Sequence, residues 1–135
     1  MANPELVAHA RTNYFRVHDA AQFAAMCRQY GLLLVAKDDR VGLVSSSRNG
    51  IPTTWTNPET GPVEDIDVPA QVARMLRPGE VAIFVETARM EWTILNGWAT
   101  AVNAAGEYRH LGLHDIVAMA RELTDRPDDV TEPTA

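Results

Sequence analysis

The amino-acid sequence predicts an α+β fold, with one mainly antiparallel sheet of about five to six strands and helices packed on it. Three observations carry this reading. Apolar runs of strand length follow one another across turn-length loops, the pattern of hairpins rather than of parallel crossovers. Three other stretches repeat apolar residues at helical spacing, each opening near an aspartate: Asp19, Asp67 and Asp115. The resulting order is β-α-β-β-(β)-α-β-β-β-α, in which helices interrupt hairpins instead of alternating with single strands.

Residues 1–10 read as a flexible lead-in, and residues 11–125 as one domain. Thr12 to His18 (TNYFRVH) combines aromatic and β-branched residues without a breaker and reads as the first strand. Asp19 to Gln22 has the spacing of a capping box, and Phe23, Ala24, Cys27 and Tyr30 recur at helical spacing up to Gly31, which predicts a helix over 19–30. Leu32–Lys37 and Val41–Ser46 form a hairpin through Asp38-Asp39-Arg40. Pro52 restricts residues 51–56 to an edge strand, and residues 63–68 read as a weak strand. Asp67 and Pro69 start a short helix whose stripe is Val68, Val72, Met75 and Leu76, stopped by Pro78-Gly79. Glu80 to Thr87 is apolar on both parities up to Val85, which predicts a central strand covered on two faces. Asn96-Gly97 suits either a hairpin turn or a bulge within one strand over 91–103, and the single bulged strand is preferred. The chain turns again at Ala104-Ala105-Gly106. A last helix carries Ile116, Val117, Ala120 and Leu123 on one stripe, and residues 126–135 read as a disordered acidic tail.

Charge narrows the partners. The chain has 12 basic and 18 acidic residues, net −6, and the excess is uneven: residues 38–67 and 122–135 each sum to −4, whereas 68–121 is neutral. That distribution argues against nonspecific nucleic-acid binding, which requires a basic footprint. No apolar run reaches the ~20 residues of a membrane span. With Cys27 as the lone cysteine and no apolar leader after Met1, a cytoplasmic protein without disulfides is expected.

Covalent chemistry finds little support. His110 and His114, with Asp115, lack the shared helix that would make their spacing a metal site, and His9 and His18 are remote. Cys27 lies on an apolar helix stripe, where thiols are inert. Ser45-Ser46-Ser47 lacks the flanking glycines of a nucleophile elbow, and no phosphate-binding glycine loop occurs, so no cofactor is expected. Glu86 and Glu91, with Arg89 between them, read as a solvated turn.

The segments TNYFRVHD, PGEVAIFVETARMEW with NGWATAVNAAGE, and LGLHDIVAMARELT together resemble small proteins carried by phages, plasmids and integrative elements. The resemblance implies a mobile-element origin and, by association, factors of the anti-CRISPR or anti-restriction type that bind host defence machinery. It brings no catalytic residues, and residues 46–67 lie outside it.

Two functional readings follow. The first is a non-enzymatic binding protein that engages a host protein or nucleoprotein complex with a basic surface, through Trp55 and the acidic patch Glu64, Asp65 and Asp67. The alternative is a small-molecule binder or enzyme with a pocket between sheet and helices lined by Tyr14, Arg16, Glu86 and Arg89. Pairing of two chains through an open sheet edge would give a homodimer.

Overall fold

The computed structural model describes residues 6–46, 49–90 and 94–131. The elements are β1 (Leu6–Thr12), α1 (Ala20–Gln29), β2 (Leu32–Lys37), β3 (Arg40–Ser45), β4 (Thr54–Thr56), β5 (Val63–Asp65), α2 (Val68–Met75), β6 (Val81–Met90), β7 (Ile94–Asn103), β8 (Tyr108–Gly112) and α3 (Asp115–Arg121), then a 3₁₀ turn at Pro127–Asp129. Six strands form one sheet in the order β2-β3-β1-β6-β7-β8, every pair antiparallel, while β4 and β5 pair with each other. This is an α+β fold. No described helix is long and apolar enough to cross a membrane.

Short polar signals set the element ends. The Asp19 carboxylate accepts from the Ala21 and Gln22 amides at 3.0 and 3.2 Å, and the Asp67 carboxylate accepts from the Ala70 amide at 3.0 Å. Each such cap is worth about 1 kcal/mol. Asp38 takes φ of 57° in the tight β2–β3 turn, a conformation that aspartate tolerates. The helices lay Phe23, Met26, Cys27, Val68, Val72 and Leu76 on one face of the sheet. Phe15 meets Phe23 edge-on there, with ring centroids 5.7 Å apart.

Several expectations change. The first strand lies earlier than expected: residues 6–10 of the expected lead-in belong to β1, which pairs with β6 from Leu6↔Met90 to Thr12↔Phe84. Ala8, Ala10 and Thr12 are the buried parity of β1, and its two alanines have weak strand character. The expected strand at Thr12–His18 is an extended crossing that buries Phe15 and Val17. Its backbone makes isolated bridges to Val41 and Leu76 rather than a ladder.

Asn96-Gly97 is neither a turn nor a bulge, because β7 runs through it in regular register, Asn96 opposite Ala88 and Gly97 opposite Thr87. The glycine serves close approach instead, since the Leu113 side chain lies 3.2 Å from where a Cβ would stand. Glu91 lies outside the described residues, as do residues 1–5 and 132–135 of the expected flexible ends. The last helix is shorter than its apolar pattern, and of its expected stripe only Val117 is buried; Leu123, beyond its end, is 89% exposed.

The largest change concerns β6. It is central, as expected, but only one of its two faces is buried along its length, and at the far end of the other Leu113 packs on Gly97. Ala82, Phe84, Glu86 and Ala88 are buried, whereas Val81, Ile83 and Val85 are 45%, 40% and 46% exposed.

Candidate functional site

The uncovered face follows from strand geometry. Side chains alternate across a sheet, so the parity opposite the helices shares one surface. The strand registers align Leu33, Val44, Arg11, Val85, Ala99 and Leu111 in a single transverse row through all six strands. Five of the six are apolar. The neighbouring row sets Ile83 beside Ala101 and Arg109, and Val81 stands beyond it opposite Asn103. At the usual strand spacing the face is about 24 Å wide, with a footprint on the order of 500 Å².

Charge on this face is one-sided. Arg11, Lys37, Arg40 and Arg109 are exposed and hold a third of the chain's 12 basic residues, with His9 also exposed on β1. No acidic residue occupies a described strand position of this parity. Glu107 stands at one edge in the β7–β8 turn, hydrogen-bonded to Asn103, and Asp38 and Asp39 stand at another edge, in the β2–β3 turn. Asp39 is tied to Arg16 at 2.8 Å, and that hydrogen bond is the main cause holding its carboxyl below the usual range. Arg11 makes no ion pair among the described residues. Its guanidinium therefore stands in the middle of an apolar row without a counter-charge from the described residues.

The acidic hairpin lies on the helix side. Trp55 is half-buried, its ring 6.0 Å from Tyr30 at the end of α1 and nearly perpendicular to it. Glu64 pairs with Trp55 and Asp65 with Thr54 across β4–β5, both acids exposed, while Asp67 caps α2.

Of the residues named for the alternative pocket, Glu86 lines a groove between the sheet and α2, and Arg16 is held in ion pairs. Arg16 is engaged by Asp39 and, at 3.7 Å, by Glu80. Tyr14 and Arg16 line neither that groove nor the larger one beside it, and the Arg89 side chain lies outside the described part of the structure. Glu86 lines a 320 Å³ pocket beneath Ile51, Pro52 and Ile66. Glu86 is 8% exposed, and its carboxylate accepts from the Ile51 amide at 2.9 Å. Burial pushes its pKa up, and the Ile51 amide and the Trp98 side chain pull the other way. Gly50, at φ of 73°, permits the arrangement, because a Cβ there would overlap Glu86 Oε1. The carboxylate thus pins residues 50–51 onto the sheet.

A larger groove of 620 Å³ runs between α2 and the β7–β8 hairpin and shares Asp67, Pro69 and Thr100 with the Glu86 pocket. Ala70, Ala73 and Ala104 leave it open, and Arg74, Tyr108 and His110 supply its polar groups. His110 Nδ1 is 2.8 Å from Thr100 Oγ1, which leaves Nε2 as its free nitrogen. Among the described residues no three His, Cys, Asp or Glu side chains cluster to hold a metal ion. Cys27 is buried, its thiol pushed up to about 11 by desolvation.

The uncovered face is the feature that sequence reasoning missed. No local signal marks it, because Val81, Ile83 and Val85 suit a strand covered on both faces as well as one left open. Comparison with known proteins adds no neighbour to this picture: no family model, no curated protein and no solved structure matches the chain.

Proposed function

We propose that this protein works without covalent chemistry, as a macromolecule-binding protein whose contact surface is the uncovered face of its sheet. The transverse row from Leu33 to Leu111 is the observation that carries the reading. A soluble chain that keeps aliphatic side chains contiguous and solvated at its centre has a surface of the kind that partners bury. Burying Ile83 and Val85, each about half exposed, would contribute about 1 kcal/mol apiece. The resemblance to proteins of mobile elements supports a host defence complex as the class of target, inhibited by occlusion. The acidic hairpin at Glu64 and Asp65 offers a second contact region for a basic surface on the helix side.

The experiment compares retention of host proteins by the wild-type chain, an Ile83→Lys/Val85→Lys variant and a Glu64→Lys/Asp65→Lys variant. We expect a specific protein to be retained by wild type and lost from the face variant, with affinity lowered at least about 30-fold. Undiminished binding by a folded face variant would remove the sheet face from the function, and loss by the hairpin variant alone would move the contact to the acidic patch.

A second reading, binding of a small molecule, is favoured by the 620 Å³ groove with its apolar floor and few polar groups. A Tm raised by a metabolite in wild type, but not after Ala73→Phe fills the groove, would support it.

A further inference from the structure

The charges on the uncovered face say what can occupy it. Three occupants compete: a second copy of this chain, a nucleic acid, and another protein. Arg11 decides against the first. It stands between Val44 on β3 and Val85 on β6, at the centre of the face rather than on its rim. Two copies packed face to face would desolvate both Arg11 guanidinium groups with no acidic residue among the described strand positions of either face to receive them. An arginine buried without a partner is strongly unfavourable, and Lys37, Arg40 and Arg109 would add repulsion around it. The arginine thus acts against self-pairing of an otherwise sticky sheet.

Nucleic acid fits poorly for a different reason. Sheets that bind single strands stack bases on aromatic rings, and no described strand position on this face carries one. Tyr108 is exposed, but it pairs with buried Val102 and so belongs to the helix side. Phosphates would satisfy Arg11 and leave Val81, Ile83, Val85 and Leu111 against water or sugar. The net charge of −6 opposes the approach as well.

What remains matches both features at once. Resting on the docking reading above, we propose that the occupant is an acidic segment of another protein, seated with a carboxylate on the Arg11 guanidinium and aliphatic side chains on the Val85 and Val44 sides of it. Arginine suits this role because its planar fork receives a carboxylate through two parallel hydrogen bonds while its stem lies along apolar neighbours. Arg109 and the Lys37–Arg40 pair, at opposite edges of the sheet, guide the encounter and fix the orientation of the segment.

Two measurements test this. In the first, light scattering follows the purified full-length chain, Arg11→Leu and Arg11→Leu/Ile83→Lys across a wide concentration range, with circular dichroism confirming that each folds. Wild type should stay monomeric, Arg11→Leu should form dimers, and the added Ile83→Lys should return it to monomer. A wild-type dimer that Ile83→Lys dissolves would overturn the inference, because the occupant would be a second copy; the sheet face would still be the docking surface.

In the second, a photo-crosslinking residue replaces Ile83, and separately Glu64, in the protein expressed in its native host. The molecule joined to position 83 is identified and purified. Its affinity is then measured for wild type, Arg11→Lys and Arg11→Glu at low and high salt. We expect a protein segment rich in Asp or Glu, binding at least tenfold weaker to Arg11→Glu and near wild-type strength to Arg11→Lys, with salt weakening the wild-type complex. Reversing one carboxylate of that segment to arginine should restore binding to Arg11→Glu. A nucleic acid, or a protein segment indifferent to Arg11→Glu, would overturn the inference alone. Crosslinks from position 64 with none from position 83 would overturn the docking reading itself.

Discussion

Replacing Glu86 separates the two roles that its burial creates, anchor and buried acid. Glu86 is 8% exposed and its carboxylate receives the Ile51 amide. Glu86→Ala leaves that amide without its acceptor, at about 1–3 kcal/mol, and empties the space that the buried side chain fills, at about 2 kcal/mol more. Removal of a desolvated charge offsets part of that, so a net loss of about 3 kcal/mol is expected, or about 10 °C in Tm for a domain of this size. Glu86→Gln keeps one acceptor and should cost about 1 kcal/mol near neutral pH. The pH dependence distinguishes charge from anchoring. Burial raises the folded pKa above the ordinary value of 4.5, so the fold favours the protonated acid. That contribution is complete below the unfolded-chain value and is lost as pH rises through the folded one. Glutamine does not titrate. The stability of wild type over Glu86→Gln should therefore be largest in acid and shrink as pH rises above 4.5. Urea denaturation of both proteins from about pH 4 to about pH 8, with equal m values, reads the difference directly. A difference that is flat, or that grows with pH, would refute desolvation as the dominant influence on this carboxyl.

Three further outcomes follow from burial elsewhere. Cys27, buried with its thiol pushed up to about 11, should resist iodoacetamide in the native protein and react fully once denatured, as followed by mass spectrometry. Trp55→Ala should lower stability by about 2 kcal/mol in urea melts, because the half-buried indole loses both its apolar burial and its edge contact with Tyr30. An unchanged midpoint would place Trp55 free in solvent. Leu123→Ser should alter the midpoint by no more than about 0.5 kcal/mol, since the side chain is 89% exposed.

Much of the fold was legible because its signals are local. Asp19 and Asp67 cap the helices that they appeared to cap, and Asp38-Asp39 turns the hairpin expected there. The first strand was misplaced because its buried parity consists of Ala8, Ala10 and Thr12, while the more strand-like Phe15 and Val17 are buried by an extended crossing without a ladder. Glu86 read as a solvated hairpin acid because its type outweighed its position. Yet it shares parity with Ala82, Phe84 and Ala88, which face the helices, and that parity was the available clue. Coverage of β6 was the harder problem. An apolar run on both parities reports that a strand avoids water on two sides, but local sequence does not say whether the second cover comes from the same chain. The grouping of Arg11 with Val44 and Val85 depends on strand order, with β1 between β3 and β6, and pairing between strands distant in sequence sets that order.

Methyl NMR with a soluble paramagnetic agent measures the openness of that face residue by residue. In the free protein the methyls of Val81, Ile83, Val85 and Leu111 should relax strongly, while those of Leu43, Val68, Val72 and Leu76 stay shielded. Ile83 and Val85 methyls as protected as Val72 would mean that the face is already covered, and docking through it would have to be abandoned.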